Sequence, residues 1–459
     1  MILFCAWQKR MSKLDLIIRG GTVVRPEATQ VVDLGVCEGK IVAIGYDLPG
    51  ATHREIDASG LHVFPGLIDA HVHFNEPGRS HWEGIESGSR ALAAGGGTMF
   101  FDMPLNSHPP TCDAKSFALK LAAAQKSSVA DFALWGGLVP QNLDRMEELA
   151  ACGVIGFKAF MSDSGIEDFD RVNEKTLRAG MKRAADLGLP VAVHAENEAL
   201  TKQLAAEKIA AGRVSVRDYL ESRPVAAELE AIRRAIELAG ETKCALHVVH
   251  VSSGEGIALI ATAKKSGVDV TCETCPHYLA LTETDVEALG AVAKCAPPLR
   301  TKAIQNELWR RLFAGEINTI GSDHSPAPAE MKTDPNFFKV WGGVSGVQHT
   351  FPVLFQGAGK PGFSLSQMAK LTSFNVAERF HLPKTKGRIE LGADADVALI
   401  DMAQGFTVRA DDLLYRHRHS PYVGRALTGR VVQTILRGMV IFKNGKIVGP
   451  NHGQWIRPL

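Results

Sequence analysis

The chain has 459 residues, 45% of them hydrophobic and 22% charged, with 51 Lys plus Arg against 50 Asp plus Glu. That length and mix suit a soluble globular protein of two or three domains, or one large α/β barrel with an appendage, and exclude disordered and collagen-like classes. A formal charge of +1 recruits neither nucleic acid nor anionic lipid, and no apolar run reaches the ~18 residues that would predict a membrane span.

The opening stretch Met1 to Trp7 is too short for a signal-peptide core, and its basic residues follow it. Met11 stands just before the first strand pattern, so residues 1–10 read as an N-terminal extension. Eight cysteines without an export signal predict free thiols and a cytoplasmic protein. Cys272-x-x-Cys275 has no second pair at zinc-ribbon spacing. It reads as two thiols at a buried strand end, with a redox or zinc pair as the alternative.

Residues 13–66 read as short strands separated by turns such as Glu38-Gly39. From about residue 63 short apolar strands alternate with amphipathic stretches, the pattern of βα units on a parallel sheet. Eight strands are predicted, at 63–73, 97–103, 130–138, 154–160, 190–196, 245–253, 268–279 and 317–325. Helices are predicted between them, among others at 82–95, 113–127, 174–188 and 225–240. This is the size of a (β/α)₈ TIM-like barrel, with a doubly wound open sheet as the alternative. After Lys386 strand patterns return. The predicted fold is thus α/β: a catalytic barrel over 67–385 and a small β-sandwich domain built from both chain ends, 11–66 and 386–459.

The candidate site residues stand at C-terminal strand ends, the rim where barrel active sites lie. Strand one ends His71-Val72-His73, and alternation along a strand points both imidazoles the same way. Strand five ends in His194, strand six in His250 and strand eight in Asp323. Singly, each has an ordinary structural reading. Together they predict a metal site, with a carboxylate able both to ligate and to exchange a proton. Lys158 ends strand four inside the apolar run Val154 to Met161. Its ammonium would be destabilised there by desolvation and by neighbouring cations, whereas a carbamate formed with CO₂ would offer two anionic oxygens. A lysine reaching solvent past the rim is the other reading.

H-x-H, a lysine on strand four, two later histidines and an aspartate on strand eight resemble the amidohydrolase superfamily in its cyclic-amide hydrolase branch. Within that branch the chain is most similar to the allantoinases. The stretches that carry this are His71 to Arg79, Trp82-Glu83-Gly84, Asp102 to Ser107, Glu273 to Tyr278, Lys294 to Pro298, Gly321 to Pro326 and Trp341 to Gly346. Dihydroorotases place an arginine two residues after the second histidine, where this chain has Asn75. Dihydropyrimidinases and hydantoinases share the metal ligands but lack the Asn-Glu-Pro-Gly-Arg run. These families are the alternative activities, and a non-catalytic scaffold on the same fold is a further one.

The resemblance implies two divalent cations per subunit, zinc first and cobalt, manganese, iron or nickel as alternatives. His71, His73 and Asp323 would hold one, His194 and His250 the other. Lys158, modified by CO₂ to N6-carboxylysine, would bridge them. Asp323 would be the catalytic residue, moving a proton from water to the leaving ring nitrogen. Asn106, Cys295 and Ser325 take the positions of substrate contacts. The implied substrate is allantoin, opened to allantoate in purine catabolism, and the implied assembly is a homo-oligomer, a tetramer by resemblance. Arg79, Trp82 and Glu83 are expected to organise the loop after strand one, with Asp69 and His324 as supports beside the ligands.

Overall fold

The computed structural model describes residues 14–49, 52, 54–357 and 359–459. The extension expected over residues 1–10 lies outside the described residues, as does Cys5. Five strands come first: β1 Leu16–Val24, β2 Thr29–Cys37, β3 Lys40–Gly45, β4 Glu55–Asp57 and β5 His62–Pro65. The barrel follows with β6 Leu67–Val72, β7 Gly97–Asp102, β8 Asp131–Leu134 continued by β9 Gly136–Gly137, β10 Phe157–Phe160, β11 Val191–His194, β12 Leu246–Val248, β13 Val270–Thr274 and β14 Thr319–Ile320. The chain ends in β15 Val397–Thr407, β16 Ala426–Leu436, β17 Met439–Lys443 and β18 Lys446–Ile447.

Neighbouring barrel strands pair in parallel, β6-β7-β8 in one run and β9 to β14 in another. Trp135 sits between β8 and β9, its indole Nε1 donating to the Ala70 carbonyl at 3.0 Å. First and last strands meet through a parallel bridge between Val72 and His324, and His73 N–H donates to the His324 carbonyl at 2.8 Å. A doubly wound sheet leaves its two edges apart; this contact joins them. Inside, Ile68, Met99, Phe101, Ala133, Trp135, Ile155, Ala192 and Phe380 form one apolar cluster. The barrel interior is therefore packed, and open space lies at the rim. Helices run between the strands, for example Ile85–Ala94, Glu174–Asp186 and Glu198–Ala210. Asn173 and Asn197 cap the last two by accepting from the backbone amides of Thr176 and Leu200.

The strands of both chain ends share one sheet, in the order β18-β17-β16-β15-β5-β1-β2-β3 with β4 beside β1. An antiparallel bridge between Lys40 and Asp394 brings the far edge back toward the start of β15. The sheet thus folds over an apolar cluster of its own, including Leu16, Val36, Ile41, Val63, Val397 and Ile435. Lys386 ties it to the barrel: its Nζ lies 2.6 Å from Asp131 and 2.8 Å from both Asp394 and Asp396. Burial opposes that charge, but the three carboxylates outweigh it and raise the lysine pKa.

Four predicted strands differ markedly from the observed ones, and that over 268–279 ends at Thr274 and gives way to the helix Pro276–Ala280. The run over 63–73 is two strands: β5 pairs with β1 and β15, whereas β6 pairs with β7. They meet at Gly66, where a Cβ would lie 2.2 Å from Thr98 Oγ1. The predicted strand at 317–325 is regular only over Thr319–Ile320. Beyond it Ser322 N–H turns to the Asp69 carboxylate at 3.0 Å, and Asp323 takes a left-handed φ of 45°. The predicted strand at 245–253 stops at Val248, and His250 has φ 40°. A sequence pattern of apolar residues carries no sign of such kinks.

Candidate metal centre and substrate cavity

His71, His73 and Asp323 present one ligand atom each within 4.8 Å of one another. Asp323 Oδ1 lies 3.2 Å from His71 Nε2 and 3.3 Å from His73 Nε2. On its other side His71 Nδ1 is 2.7 Å from Glu273 Oε1, a buried carboxylate from β13. The Nδ1 proton therefore goes to Glu273, and a neutral His71 turns only a lone pair toward Asp323. Two electron-rich atoms at that spacing need a proton or a cation between them.

The second pair repeats the logic. His194 Nε2 lies 2.8 Å from Glu196 Oε2, which makes Nδ1 the acceptor. That Nδ1 meets His250 Nε2 at 3.0 Å, a spacing that a shared proton or a metal ion must fill. Arg223 stands behind Glu196 at 3.4 Å. The four rings are contiguous: His73–His71 and His71–His250 have centroids 5.4 Å apart, and His250–His194 4.7 Å. Phe160 stacks on His194 at 4.6 Å.

Lys158 sits on β10, 0% exposed, with its Nζ 5.0 Å from the Phe160 ring centroid and without a hydrogen-bond partner among the described residues. Burial, only partly offset by Asp323 and Glu273, lowers its pKa to about 8. An unpartnered buried ammonium is an expensive arrangement, so this position suits an amine converted to an anion. Asp323 behaves oppositely. Burial alone would raise its pKa, but His71, His73 and His250 hold it well below the usual carboxylate range. Glu273 likewise stays ionised, pulled down to about 2 against its burial by His71 and His247. The donor set, nitrogen and carboxylate oxygen, fits divalent cations.

Backbone strain gathers here. His250 at φ 40°, Asp323 at 45°, Asn75 at 63° and Asn106 at 67° all lie in the left-handed region. For His and Asp this costs on the order of 1 kcal/mol each, and such strain concentrates where side chains must be aimed.

Five of the six predicted ligands, His71, His73, His194, His250 and Asp323, line a cavity of about 300 Å³, and Lys158 is not part of its lining. Asn106, Cys295 and Ser325 line it too. Asn106 Nδ2 reaches His73 Nδ1 at 3.3 Å and Ser325 Oγ at 3.4 Å, and Cys295 offers its carbonyl to the Tyr219 hydroxyl at 2.9 Å. Segment 338–343 forms another wall. Asn75 Nδ2 donates to the Pro326 carbonyl at 3.2 Å, so this position braces a loop. Arg79 pairs with Asp168 at 3.2 Å and lies over Trp82. Glu83 accepts from Arg416 N–H at 3.1 Å. Asp69 accepts from His71 N–H at 3.1 Å and from Ser322 N–H, tying strand one to strand eight. His324 Nδ1 accepts from Gly346 N–H at 3.1 Å. Cys272 and Cys275 are buried free thiols.

The sequence reading missed Glu273 and Glu196. Glu273 is a charge inside an apolar strand, the same signal that picked out Lys158. Glu196 follows His194 by two residues and had no signal beyond that spacing.

The profile of the amidohydrolase family matches residues 62–448. The allantoinase of Rubrobacter xylanophilus is 56% identical over 98% of both chains. That of Deinococcus radiodurans is 51% identical over 97% of this chain and 99% of its own, and one from Escherichia coli 48% over 96% and 98%. Among solved structures, the L-hydantoinase (dihydropyrimidinase) from Arthrobacter aurescens superposes with a TM-score of 0.94 at 34% identity, covering 97% of this chain and all of its own. Dihydropyrimidinase from Brevibacillus agri gives 0.90 at 32%, over 96% and 98%.

Proposed function

The chain belongs to the amidohydrolase family, and we propose that within it the protein hydrolyses the hydantoin-ring amide of allantoin to give allantoate, a step of purine (ureide) breakdown. The observation that carries the substrate is near-full-length identity of 56% with an allantoinase, against 34% with an L-hydantoinase of very similar shape. A second reading, hydrolysis of a simple hydantoin or dihydropyrimidine, is supported by that shape alone.

In this reading His71, His73 and Asp323 would hold one divalent cation and His194 and His250 a second, and Lys158, carbamylated, would complete the donor set. Zinc is the first choice for this donor set, with cobalt, manganese, iron or nickel as alternatives. Bound there, the cations lower the pKa of water and polarise the amide carbonyl. Glu273 and Glu196 hold His71 and His194 in the tautomers that turn a lone pair to the site. Asp323, ionised and beside both strand-one histidines, takes the proton of the attacking water and returns it to the leaving ring nitrogen. Asn106 and Ser325 offer side-chain hydrogen bonds to the ring, and the Cys295 segment closes its edge. We also assign the protein to the cytoplasm and to a homo-oligomer, a tetramer by resemblance, which light scattering of the purified protein would test.

The direct test is allantoate production by purified protein given divalent metal and bicarbonate, with dihydrouracil and dihydroorotate in parallel. Turnover of allantoin far above both, abolished by a chelator, is the expected result. Turnover of another ring instead would keep the site and overturn the substrate.

Two further results are expected. Glu273→Gln leaves His71 without a carboxylate for its Nδ1 proton and should weaken metal retention by roughly 10–100-fold, read by chelator competition. Unchanged retention would remove Glu273 from the site's support. Only the neutral amine of Lys158 takes up CO₂. With its pKa lowered to about 8, the neutral form rises as pH rises through that value. At pH 7 it is about 10% of the total, against ~0.03% for an unshifted lysine. With dissolved CO₂ held constant, reactivation of metal-stripped protein by metal should therefore quicken by roughly 25-fold between about pH 6.5 and 8.5. A pH-independent rate would argue against carbamylation of this amine.

A further inference from the structure

Segment 337–343, whose residues 338–343 wall the catalytic cavity, belongs to no barrel strand or helix, so something else must hold it. Lys294 is 4% exposed. Its Nζ donates to the Phe337 carbonyl at 2.6 Å and the Val340 carbonyl at 2.5 Å, and lies 4.4 Å from the Tyr219 ring centroid. The Lys294 carbonyl in turn accepts from Gly343 N–H at 2.8 Å. Lys332, on the other flank, donates from its Nζ to the carbonyls of Ala291 at 3.2 Å, Trp341 at 3.1 Å and Gly343 at 2.9 Å. Among the described residues neither ammonium has a carboxylate within ion-pair distance. Four of the five main-chain oxygens that these two amines reach belong to segment 337–343, the fifth being that of Ala291.

The segment is pressed close against the candidate site. A Cβ on Gly343 would lie 2.1 Å from the Ser325 carbonyl oxygen. The Trp341 ring packs edge-on to Trp82 at 4.8 Å, within the loop after strand one. Residues 338–343 are among the cavity-lining residues that are not candidate metal ligands, so they are among the walls that the substituent of a ring bound at the ligands can meet.

We propose that Lys294 and Lys332 are positioning residues for substrate selection: they clamp segment 337–343 against Ser325, forming the wall that receives the substituent of the ring. This rests on the reading of allantoin as substrate, whose substituent is a ureido arm. Loosening the wall weakens binding of the arm and leaves the ring's own contacts in place.

The test uses the full-length, metal-loaded protein with Lys294→Met and, separately, Lys332→Met. Each removes the donors and keeps an apolar stem. Three quantities are read: amide hydrogen exchange of peptides over 333–343, kinetics with allantoin, and binding of hydantoin, the same ring without the arm, as substrate or competitive inhibitor. The expected result is exchange at least about tenfold faster, an allantoin KM at least about tenfold higher, kcat and hydantoin binding within about threefold, and unchanged metal content. Slow exchange with a raised KM would overturn the clamp, because the lysine would then touch substrate itself. Fast exchange with an unchanged KM would overturn the wall, as would equal weakening of both ligands. If Lys294→Met fails to fold, Lys332→Met decides by the same readings. A wild type that opens another ring and not allantoin sinks the substrate reading alone; exchange and that ring's KM then judge the clamp.

Discussion

Asp323→Asn is expected to lower kcat for allantoin by about a thousandfold or more while the protein keeps its fold and most of its metal. The amide keeps an oxygen where Oδ1 now lies, 3.2 and 3.3 Å from the Nε2 atoms of His71 and His73, so ligation can survive. What it loses is the ability to take and return a proton. The native carboxylate is suited to that task by its surroundings. Burial would favour the acid form, but the neighbouring histidines hold its pKa well below the ordinary range, leaving an empty acceptor at neutral pH. Its left-handed φ of 45° turns the side chain off the line of β14 and toward the two histidines. Metal analysis beside steady-state kinetics separates the two roles. A variant with full metal and more than about a tenth of the activity would show that another group carries the proton.

Lys158→Ala is expected to cost a comparable factor, about a thousandfold, for a different reason. Removing the side chain deletes the amine that would carry the carbamate, and on the proposed reading the two cations would then repel each other without a shared anionic ligand. Added short carboxylates such as acetate or propionate should restore part of the activity, because the space vacated by a fully buried side chain can admit one. Full activity at saturating metal without such additives would remove Lys158 from the centre. Loss without rescue, in a protein still holding two metal ions, would argue that the lysine acts without carbamylation.

The donor residues were legible because each stands out against its local pattern. His71 and His73 are polar residues at the end of an apolar run, spaced by the strand period. Lys158 is a charge inside β10. His194 closes β11. The eight-strand rhythm and the return of strands after Lys386 were legible for the same reason, since alternation and amphipathic spacing are properties of neighbouring residues. His250 and Asp323 were found as residues but misplaced as strand ends, because a change of φ at one position leaves no mark on a hydrophobic pattern.

By itself, then, the sequence determined the architecture and the reaction class and singled out the residues proposed as metal donors, all of which are written in local order or in long contiguous motifs. The tertiary structure alone decided which ring nitrogen of His71 turns its lone pair to the site, since Glu273, which takes the other, lies 202 residues from His71. It alone decided that Asn75 braces a loop from 251 residues away, and that Lys294 and Lys332 spend their charge on the wall of the cavity. Those features depend on one atom meeting another across the closed barrel. Closure brings together residues whose separation along the chain carries no periodic signal, so they become visible only once the first and last strands have met.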